Sequence, residues 1–429
     1  MITTAFIKLW GTLVGAVSWD AQTGTAGFEF TSAFLQQNTD PAPIMMPIQQ
    51  GNRIHRFPEL RNNSTFKGLP GLLADALPDR YGNQLINAWL NKYGRPANSL
   101  NPVEQLCFIG SRGMGALEFE PSQMLVDKKP FDVELDSLVS AAQSILSNKV
   151  SFETKLDQEQ SKAMVDILKI GTSAGGARPK AIIAYNEKTK KVKSGQTSLP
   201  AGFEHWLIKL DGVGDAQFGE SFGYGRVEMA YALMAQSCGI EMMECRLHEE
   251  NNRAHFMTKR FDREGSKKHH IQSFCALNHF DFNDVLSFSY EQVFQTMRML
   301  NLPYLQAVQM FRRMVFNVLA RNCDDHTKNF SFRLKEGGNW ELAPAYDVCH
   351  AYRPGSIWVS QHALSISGKR QNITASDVLT VANAMNIKHP NQIIEQIQDA
   401  VNNWDAFAKE VDVDVKLASA IKTTFPFIK

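Results

Sequence analysis

The chain has 429 residues, of which 44% are hydrophobic and 21% are charged, so it can bury a large core and is expected to form two or three domains. Its 45 Lys and Arg residues balance its 44 Asp and Glu residues, which excludes a strong overall attraction to nucleic acid or to a membrane surface. No apolar run approaches the ~18 residues of a membrane span. The cysteines lack C-x-x-C spacing, which indicates reduced thiols and a cytoplasmic protein.

The first part of the chain, to about residue 125, mixes strands and helices. Alternation in AFIKLWG and LVGAVSW around Gly11 and Thr12 predicts a hairpin of two half-buried strands, and we favour this interpretation over a cleavable signal sequence. The stretch LPGLLADALPDRYGNQLINAWLNKYG predicts one helix that ends at Gly94.

The middle of the chain alternates helices and strands. Helices are predicted over residues 133–146 and 158–168, followed by the small-residue loop GTSAGG, a strand, and the basic turn NEKTKKVK. We favour a solvated hairpin tip for this turn over a nucleic-acid patch, because no aromatic residues are interleaved with the lysines. HWLIKLDG and HFMTKRFDRE then predict strands on either side of the helix GRVEMAYALMAQSCGI, which Gly239 ends.

Helical periodicity dominates from about residue 283, but the polar stretch RNCDDHTKNFSF interrupts it. Asp324 and Asn329 in this stretch have the spacing of the kinase pattern D-x-x-x-x-N, in which one residue accepts the substrate proton and the other holds Mg²⁺. Asp347 in LAPAYDV follows about twenty residues later, where kinases keep their second metal ligand. Asp325 and His326 are alternative bases that the spacing disfavours. Capping of the preceding helix is the purely structural alternative for the whole stretch.

Three further elements that phosphoryl transfer from ATP requires come earlier in the chain. The loop between Gly171 and Gly176 has small residues that let backbone N–H groups approach phosphates, although a glycine-rich loop by itself is a weak signal. Lys209 lies on a predicted strand, on the same face as Leu207, and is either an ATP lysine or an edge lysine that reaches water. Glu228 is either its ion-pair partner or a first-turn glutamate that favours the helix dipole.

These motifs, with FIGSRGMGALEFEP and LPDRYGN near the N-terminus, resemble the HipA family of bacterial serine/threonine kinase toxins over nearly the whole chain. The resemblance implies an α+β fold: a bilobal protein-kinase-like core with an additional N-terminal α/β domain and a mainly helical C-terminal lobe. The implied domains are residues 1–150 packed on the small lobe, 151–265 as the small lobe, and 266–429 as the helical large lobe.

The resemblance also implies roles for individual residues. Asp324 would be catalytic, Asn329 and Asp347 would bind Mg²⁺, and His326 and Lys328 would support the site. Ser173 would be autophosphorylated. The ATP-binding residues would be Gly171, Ser173, Ala174, Gly175, Gly176, Lys209, Glu228, Arg260 and Phe261. Arg178 and Pro179 depart from the family pattern, in which glutamine is common in the loop, so the phosphate contact there is less certain.

The implied function is that of a Mg²⁺-ATP-dependent toxin kinase. Its partners would be a small helix-turn-helix antitoxin like HipB, operator DNA mainly through that antitoxin, and a translation-related protein substrate such as an aminoacyl-tRNA synthetase. Two alternatives stay open at this point. One is a non-catalytic corepressor that stabilises a DNA-bound antitoxin. The other is a small-molecule phosphotransferase on the same fold.

Overall fold

The structure is a computed structural model that describes residues 2–123, 129–147, 158–172, 178–196, 199–214 and 223–426. It divides into two compact units. The first contains residues 1–42, 46–225 and 245–271, and the second contains residues 43–45, 226–244 and 272–429. The division into three domains at residues 150 and 265 stays a prediction.

The first unit begins with a four-stranded antiparallel sheet in the order β3-β2-β1-β4. Its strands are β1 (Thr4–Leu9), β2 (Thr12–Asp20), β3 (Thr25–Phe30) and β4 (Leu117–Glu120). Trp10 and Gly11 join β1 to β2, and both have positive φ, which is the backbone of a tight hairpin turn that follows the twist of the strands. The predicted N-terminal hairpin is therefore confirmed.

Among its described residues, the first unit also contains six helices that precede its second sheet in the chain. They are α1 (Ser32–Leu35), α2 (Gly71–Ala74), α3 (Arg80–Lys92), α4 (Pro102–Ile109), α5 (Leu135–Leu146) and α6 (Gln158–Gly171), with short 3-10 turns at Ile48–Gln50 and Pro58–Leu60. The single helix predicted to end at Gly94 is wrong, because α2 and α3 are separate. Pro78 lies within the break, and the Asp79 side chain accepts a hydrogen bond from Gly82 N and starts a new helix.

A five-stranded antiparallel sheet in the order β6-β5-β7-β9-β8 forms the other half of this unit. Its strands are β5 (Lys180–Tyr185), β6 (Val192–Ser194), β7 (Glu204–Lys209), β8 (Cys245–Glu250) and β9 (Arg253–Lys259), and the short hairpin β10 (Arg263–Glu264) and β11 (Lys267–Lys268) follows. Apolar residues of β5 and β7 pack with α3, α5 and α6 in one buried cluster that includes Trp206 and Ile208. This core fixes the strand that carries Lys209.

The second unit is mainly helical. Its helices are α7 (Tyr224–Ser237, whose first two residues belong to the first unit), α8 (Phe274–Asn278), α9 (Tyr290–Met299), α10 (Tyr304–Leu319), α11 (Ala375–Ala384), α12 (Pro390–Asn402), α13 (Trp404–Glu410) and α14 (Val415–Lys422). A small sheet has the order β12-β13-β14, from β12 (His270–Ser273, whose first two residues belong to the first unit), β13 (Ser331–Leu334) and β14 (Trp340–Leu342). The polar stretch RNCDDHTKNFSF runs from the end of α10 into β13.

The helix α10 is amphipathic and buries Phe311, Val315 and Phe316 in the core of the second unit. The chain leaves this core where α10 ends. Ala320 is the C-cap residue and Arg321 takes positive φ. The polar loop therefore emerges from a well-packed helix. Within the described residues, no helix combines the length and the apolar character needed to cross a membrane.

Candidate active site

The loop after α10 is held at its base by main-chain hydrogen bonds. Cys323 N donates to Ala351 O at 3.0 Å, and Ala351 N donates to Arg321 O at 3.1 Å. Further along the loop, the Thr327 hydroxyl donates to Phe280 O at 3.0 Å. These hydrogen bonds fix the path of the loop at its base and at Thr327.

Asp324 and Asn329 are joined within this loop. The side chain of Asp324 is 49% exposed, so its carboxylate can meet a molecule from solvent. Asn329 lies in the short 3-10 turn Thr327–Asn329, and its Nδ2 donates to the main-chain oxygen of Asp324 at 2.6 Å. Because the amide nitrogen is used in this way, Oδ1 of Asn329 is the atom that can act as a metal ligand.

Asp347 reaches the same region from the strand β14. Ala345, two residues earlier, pairs with Met242 in a parallel bridge, and its N–H donates to Glu241 O at 2.8 Å. Asp347 itself has φ of 51°, a left-handed conformation that Asp tolerates better than most residues. A backbone conformation of this kind costs free energy, and such conformations cluster at functional sites.

Asn329 and Asp347 line one small cavity of about 20 Å³. Arg313 and Asn322 also line it, and Arg313 Nε and Asn322 Oδ1 are buried without a hydrogen-bond partner among the described residues. One carboxylate and one carboxamide oxygen suit Mg²⁺, which prefers hard oxygen ligands and keeps several waters. The residues present therefore fit the metal that the sequence predicts.

Asp325, the neighbour of Asp324, is buried and engaged on both oxygens. Its Oδ2 accepts hydrogen bonds from the Tyr290 hydroxyl at 2.7 Å and from His362 Nδ1 at 2.9 Å, and its Oδ1 accepts one from Ala363 N at 2.7 Å. Burial alone would lower the pKa of His362, but the charge and hydrogen bond of Asp325 outweigh it and raise that pKa to about 10. Asp325 is thus a structural acceptor and is poorly placed to act as a base.

His326 and Lys328, which were predicted to support the site, both contact Phe282. The His326 ring centroid lies 5.3 Å from that of Phe282, and Lys328 Nζ lies 4.9 Å from the same ring centroid. His326 Nε2 is 3.7 Å from Asp324 Oδ1. The two side chains therefore pack on one aromatic ring beside the Asp324 carboxylate.

Lys209, the predicted ATP lysine, ends β7 in the first unit. It alternates with the buried residues Trp206 and Ile208, so it shares the half-buried face of Leu207 as predicted. Its Nζ lies 5.7 Å from the ring centroid of Phe256 on β9. Lys180 is opposite it on β5 and is itself buried, so two lysines face each other across the strands. The sequence patterns gave no sign of this second lysine.

The predicted phosphate loop lies largely outside the described residues. Ser173, Ala174, Gly175 and Gly176 belong to the segment that the structure does not describe. Gly171 was predicted as the first loop residue, but it is the last residue of α6. A Cβ there would lie 3.0 Å from the side chain of Leu85, so this glycine is needed for close packing. Arg178, beyond the segment, places its guanidinium carbon 4.5 Å from the ring centroid of Tyr224.

Two roles were predicted for Glu228: an ion-pair partner of Lys209, or a glutamate in the first turn of its helix. The second prediction is wrong. The helix α7 begins at Tyr224 and has no acidic residue in its first turn, because the small residue Gly225 and the following Arg226 and Val227 extend the helix toward the N-terminus. Glu228 is 7% exposed. Since Lys209 and Glu228 belong to different compact units, their ion pair stays a prediction.

Arg260 and Phe261 were expected near the adenine, and the RFDR motif has a structural role that the sequence did not reveal. Arg260 Nε and Nη2 donate to the Asp262 carboxylate at 2.8 and 2.6 Å, and Arg263 Nη1 donates to it at 2.7 Å. Gly115 N also donates a hydrogen bond to the Asp262 carboxylate, at 2.7 Å. Burial would raise the pKa of Asp262, but the two arginines hold it well below its usual range. The adenine contact of Arg260 and Phe261 stays a prediction.

Comparison with protein families gives two matches along the chain. The family model of the HipA N-terminal domain matches residues 5–120, and that of the HipA-like C-terminal domain matches residues 172–404, more than half of the chain. The chain belongs to the HipA family. No curated protein matches it in sequence.

Comparison with solved structures gives two further matches. HipA of Shewanella oneidensis MR-1, solved in a complex with HipB and its operator DNA, matches with a TM-score of 0.68 at 17% identity, covering 98% of this chain and 95% of that one. The Helicobacter pylori proinflammatory kinase CtkA matches with a TM-score of 0.34 at 15% identity, covering 58% of this chain and 92% of that one. The α+β, kinase-like fold implied by the HipA resemblance is confirmed by the Shewanella HipA match.

The most informative residue of this HipA family site that sequence patterns missed is His362. It lies 37 positions from Asp325, in a segment without any recognisable motif. The only signal was chemical, since a second aspartate directly beside Asp324 needs a partner when it is buried.

Proposed function

We propose that this HipA family protein is a Mg²⁺-ATP-dependent serine/threonine kinase that acts as the toxin of a toxin–antitoxin pair. One observation carries the proposal. Asn329 and Asp347 come from separate segments and line one cavity, while Asn329 is hydrogen-bonded to the backbone of the half-exposed Asp324. The residues proposed as proton acceptor and metal ligands thus all belong to the second unit.

In the proposed reaction the hydroxyl oxygen of the acceptor forms a bond to the γ-phosphorus of ATP. The bond between that phosphorus and the bridging oxygen breaks, ADP leaves, and the hydroxyl proton passes to the Asp324 carboxylate. Asn329 Oδ1 and the Asp347 carboxylate would hold Mg²⁺, which supplies positive charge at the phosphate oxygens when it is bound. Lys209 would contact the phosphates, and Ser173 would be an internal acceptor.

The proposed partners follow from family membership. The Shewanella HipA was solved with HipB and operator DNA. By analogy we assign to this chain a small helix-turn-helix antitoxin, with operator DNA bound mainly through that antitoxin. The near-neutral charge of the chain suits such an indirect role. The resemblance further supports a translation-related protein as substrate, with an aminoacyl-tRNA synthetase as the first candidate.

The same Shewanella complex favours a second candidate, a corepressor that binds the antitoxin on DNA without catalysis. The two functions make different demands on the chain. A kinase needs the Asp324 carboxylate, whereas a corepressor needs only its surface. Substitution of Asp324 therefore separates them.

The test is transfer of labelled phosphate from Mg²⁺-ATP in a cell lysate, followed by mass spectrometry of the modified proteins, including this chain at Ser173. We expect Asp324→Asn to lower transfer by roughly 10²- to 10⁴-fold while nucleotide affinity stays within about twofold. Asp347→Asn should weaken both nucleotide binding and transfer. The exposed Asp399 on α12 provides the matched control, and Asp399→Asn should leave both unchanged.

Full transfer by Asp324→Asn would refute the catalytic assignment. Toxicity and operator repression that survive in that variant would favour the corepressor. Label found only in small molecules would identify a small-molecule phosphotransferase. Label in proteins but not at Ser173 would remove autophosphorylation alone.

A further inference from the structure

The Asp325 carboxylate is the centre of a buried hydrogen-bond network in the second unit. Besides its three donors, the network extends through Asn317 Nδ2, which donates to the Tyr290 hydroxyl at 3.0 Å. Asn322 Nδ2 in turn donates to Asn317 Oδ1 at 2.9 Å. The side chains of both Asp325 and His362 are at most 1% exposed. Buried hydrogen-bond networks of this kind hold their members in a defined arrangement.

The donors to Asp325 come from two segments that are themselves joined. Ser365 N donates to Phe288 O at 3.0 Å, and Tyr290 N donates to Ser365 O at 3.0 Å, which pairs the start of α9 with the segment that carries His362. Arg370 reinforces the pairing, since its Nη2 donates to Phe288 O at 2.9 Å. Tyr290, His362 and Ala363 therefore form one preorganised cradle.

The cradle acts on Asp324 through one peptide bond. Asp325 cannot shift without moving the carbonyl of Asp324, and that carbonyl accepts the hydrogen bond from Asn329 Nδ2 at 2.6 Å. A displacement of Asp325 would thus change both the Asp324 carboxylate and the Asn329 oxygen. Phosphoryl transfer depends on such positions, because a misplacement of about 1 Å can cost roughly 100-fold in rate.

We infer that His362 is a positioning residue for phosphoryl transfer: through Asp325 it holds the loop of Asp324 and Asn329 in the geometry that transfer requires. The inference rests on the proposed kinase function. His362 does not touch the reacting atoms and takes no proton from the acceptor. Its Nδ1–H fixes Asp325 Oδ2, while its Nε2 lies 3.9 Å from the thiol of Cys323 in the same loop.

The test uses the full chain and two substitutions of His362. His362→Leu removes the donor, whereas His362→Asn offers an amide N–H close to the position of Nδ1. The first readout is hydrogen exchange of the loop, residues 321–330, compared with the helix α12. The second is labelled-phosphate transfer from Mg²⁺-ATP into lysate protein, with kcat and KM for ATP separated.

We expect His362→Leu to speed exchange of the loop by about tenfold or more while α12 keeps its wild-type protection. Transfer should fall by about 10- to 100-fold in kcat, with KM for ATP within about twofold. In His362→Asn, both the exchange rate of the loop and the kcat of transfer should lie close to the wild-type values. The exposed His389 has a left-handed backbone that Asn tolerates, so His389→Asn is the matched control and should change neither.

Wild-type exchange of residues 321–330 in His362→Leu would overturn the inference, as would faster exchange spread equally over α12. If His362→Leu does not fold, His362→Gln, whose amide mimics Nε2 rather than Nδ1, is measured instead, and wild-type exchange of residues 321–330 in that variant would also overturn the inference. Absence of transfer by the wild-type chain would refute the kinase proposal instead, and the exchange result would still decide whether His362 orders the loop.

Discussion

Each compact unit contains a buried aspartate beside residues assigned to the site, and the two are built differently. Asp262 is surrounded by two arginines and the backbone of Gly115, so permanent positive charges face it. Asp325 is surrounded by a tyrosine, a histidine and the backbone of Ala363. The first cluster ties a strand end to a distant loop. The second lies directly beside the exposed Asp324. We therefore expect the buried Asp262 to serve mainly the stability of the fold, and the buried Asp325 to serve the position of Asp324.

The largest effect on stability should come from Asp262. Asp262→Asn keeps the shape of the side chain but removes the negative charge that accepts hydrogen bonds from both Arg260 and Arg263. We expect a loss of about 3–5 kcal/mol in the free energy of unfolding, measured by urea denaturation. Asp399→Asn should stay within about 0.5 kcal/mol. A loss below about 1 kcal/mol for Asp262→Asn would show that the arginines find other acceptors, and the contrast between the clusters would disappear.

The two clusters should also respond to pH in opposite directions. The folded-state pKa of Asp262 is depressed, so its contribution is present above the unfolded value of about 3.9 and is lost only as the pH falls toward the folded value. The folded-state pKa of His362 is raised to about 10, so its contribution is complete below the unfolded value of about 6.5 and is lost as the pH rises through about 10.

Between pH 6.5 and pH 9 we therefore expect the stability difference between wild type and Asp262→Asn to stay constant. The difference between wild type and His362→Leu should shrink, by up to about 1.4 kcal/mol per pH unit. Urea titrations at several pH values measure both. A constant difference for His362→Leu would mean that His362 is neutral in the folded protein, and the distinction between the clusters would then lie in geometry alone.

The smallest effect should come from Tyr290→Phe, which removes one of three donors to Asp325 and keeps the ring. We expect a loss of about 1 kcal/mol in stability, because His362 and Ala363 N still hold the carboxylate. Phosphate transfer should fall less than in His362→Leu. Equal losses in the two variants would show that the network acts as one unit and that the histidine has no special part in it.

The sequence predicted features that depend on near neighbours. Alternation around Gly11 was enough for the first hairpin, and the spacing of Asp324 and Asn329 identified a pair that the structure joins by a hydrogen bond. The helix predicted across Pro78 failed because its apolar periodicity continues through a break that the proline and the Asp79 cap impose. The predicted helix GRVEMAYALMAQSCGI begins one residue after the observed start of α7 at Tyr224.

Contacts between distant positions could not be predicted in this way. Asp262 meets Gly115 N across 147 positions, and Asp325 meets His362 across 37. No local pattern encodes such pairs, because the fold rather than the spacing brings them together. The similarity of RFDR to a family motif suggested a ligand contact, whereas its charges satisfy one another.

The left-handed backbone of Asp347 bears on how this protein can evolve. At φ of 51° most residues lose roughly 1–2 kcal/mol, whereas Gly adopts the conformation freely and Asn adopts it almost as readily as Asp. A lineage can therefore exchange the carboxylate at position 347 for Asn or Gly and keep a folded chain, while Val or Ile at that position adds a conformational cost. Folded descendants that have lost this carboxylate lie a single codon change away, so the proposed metal binding and the architecture can be inherited separately.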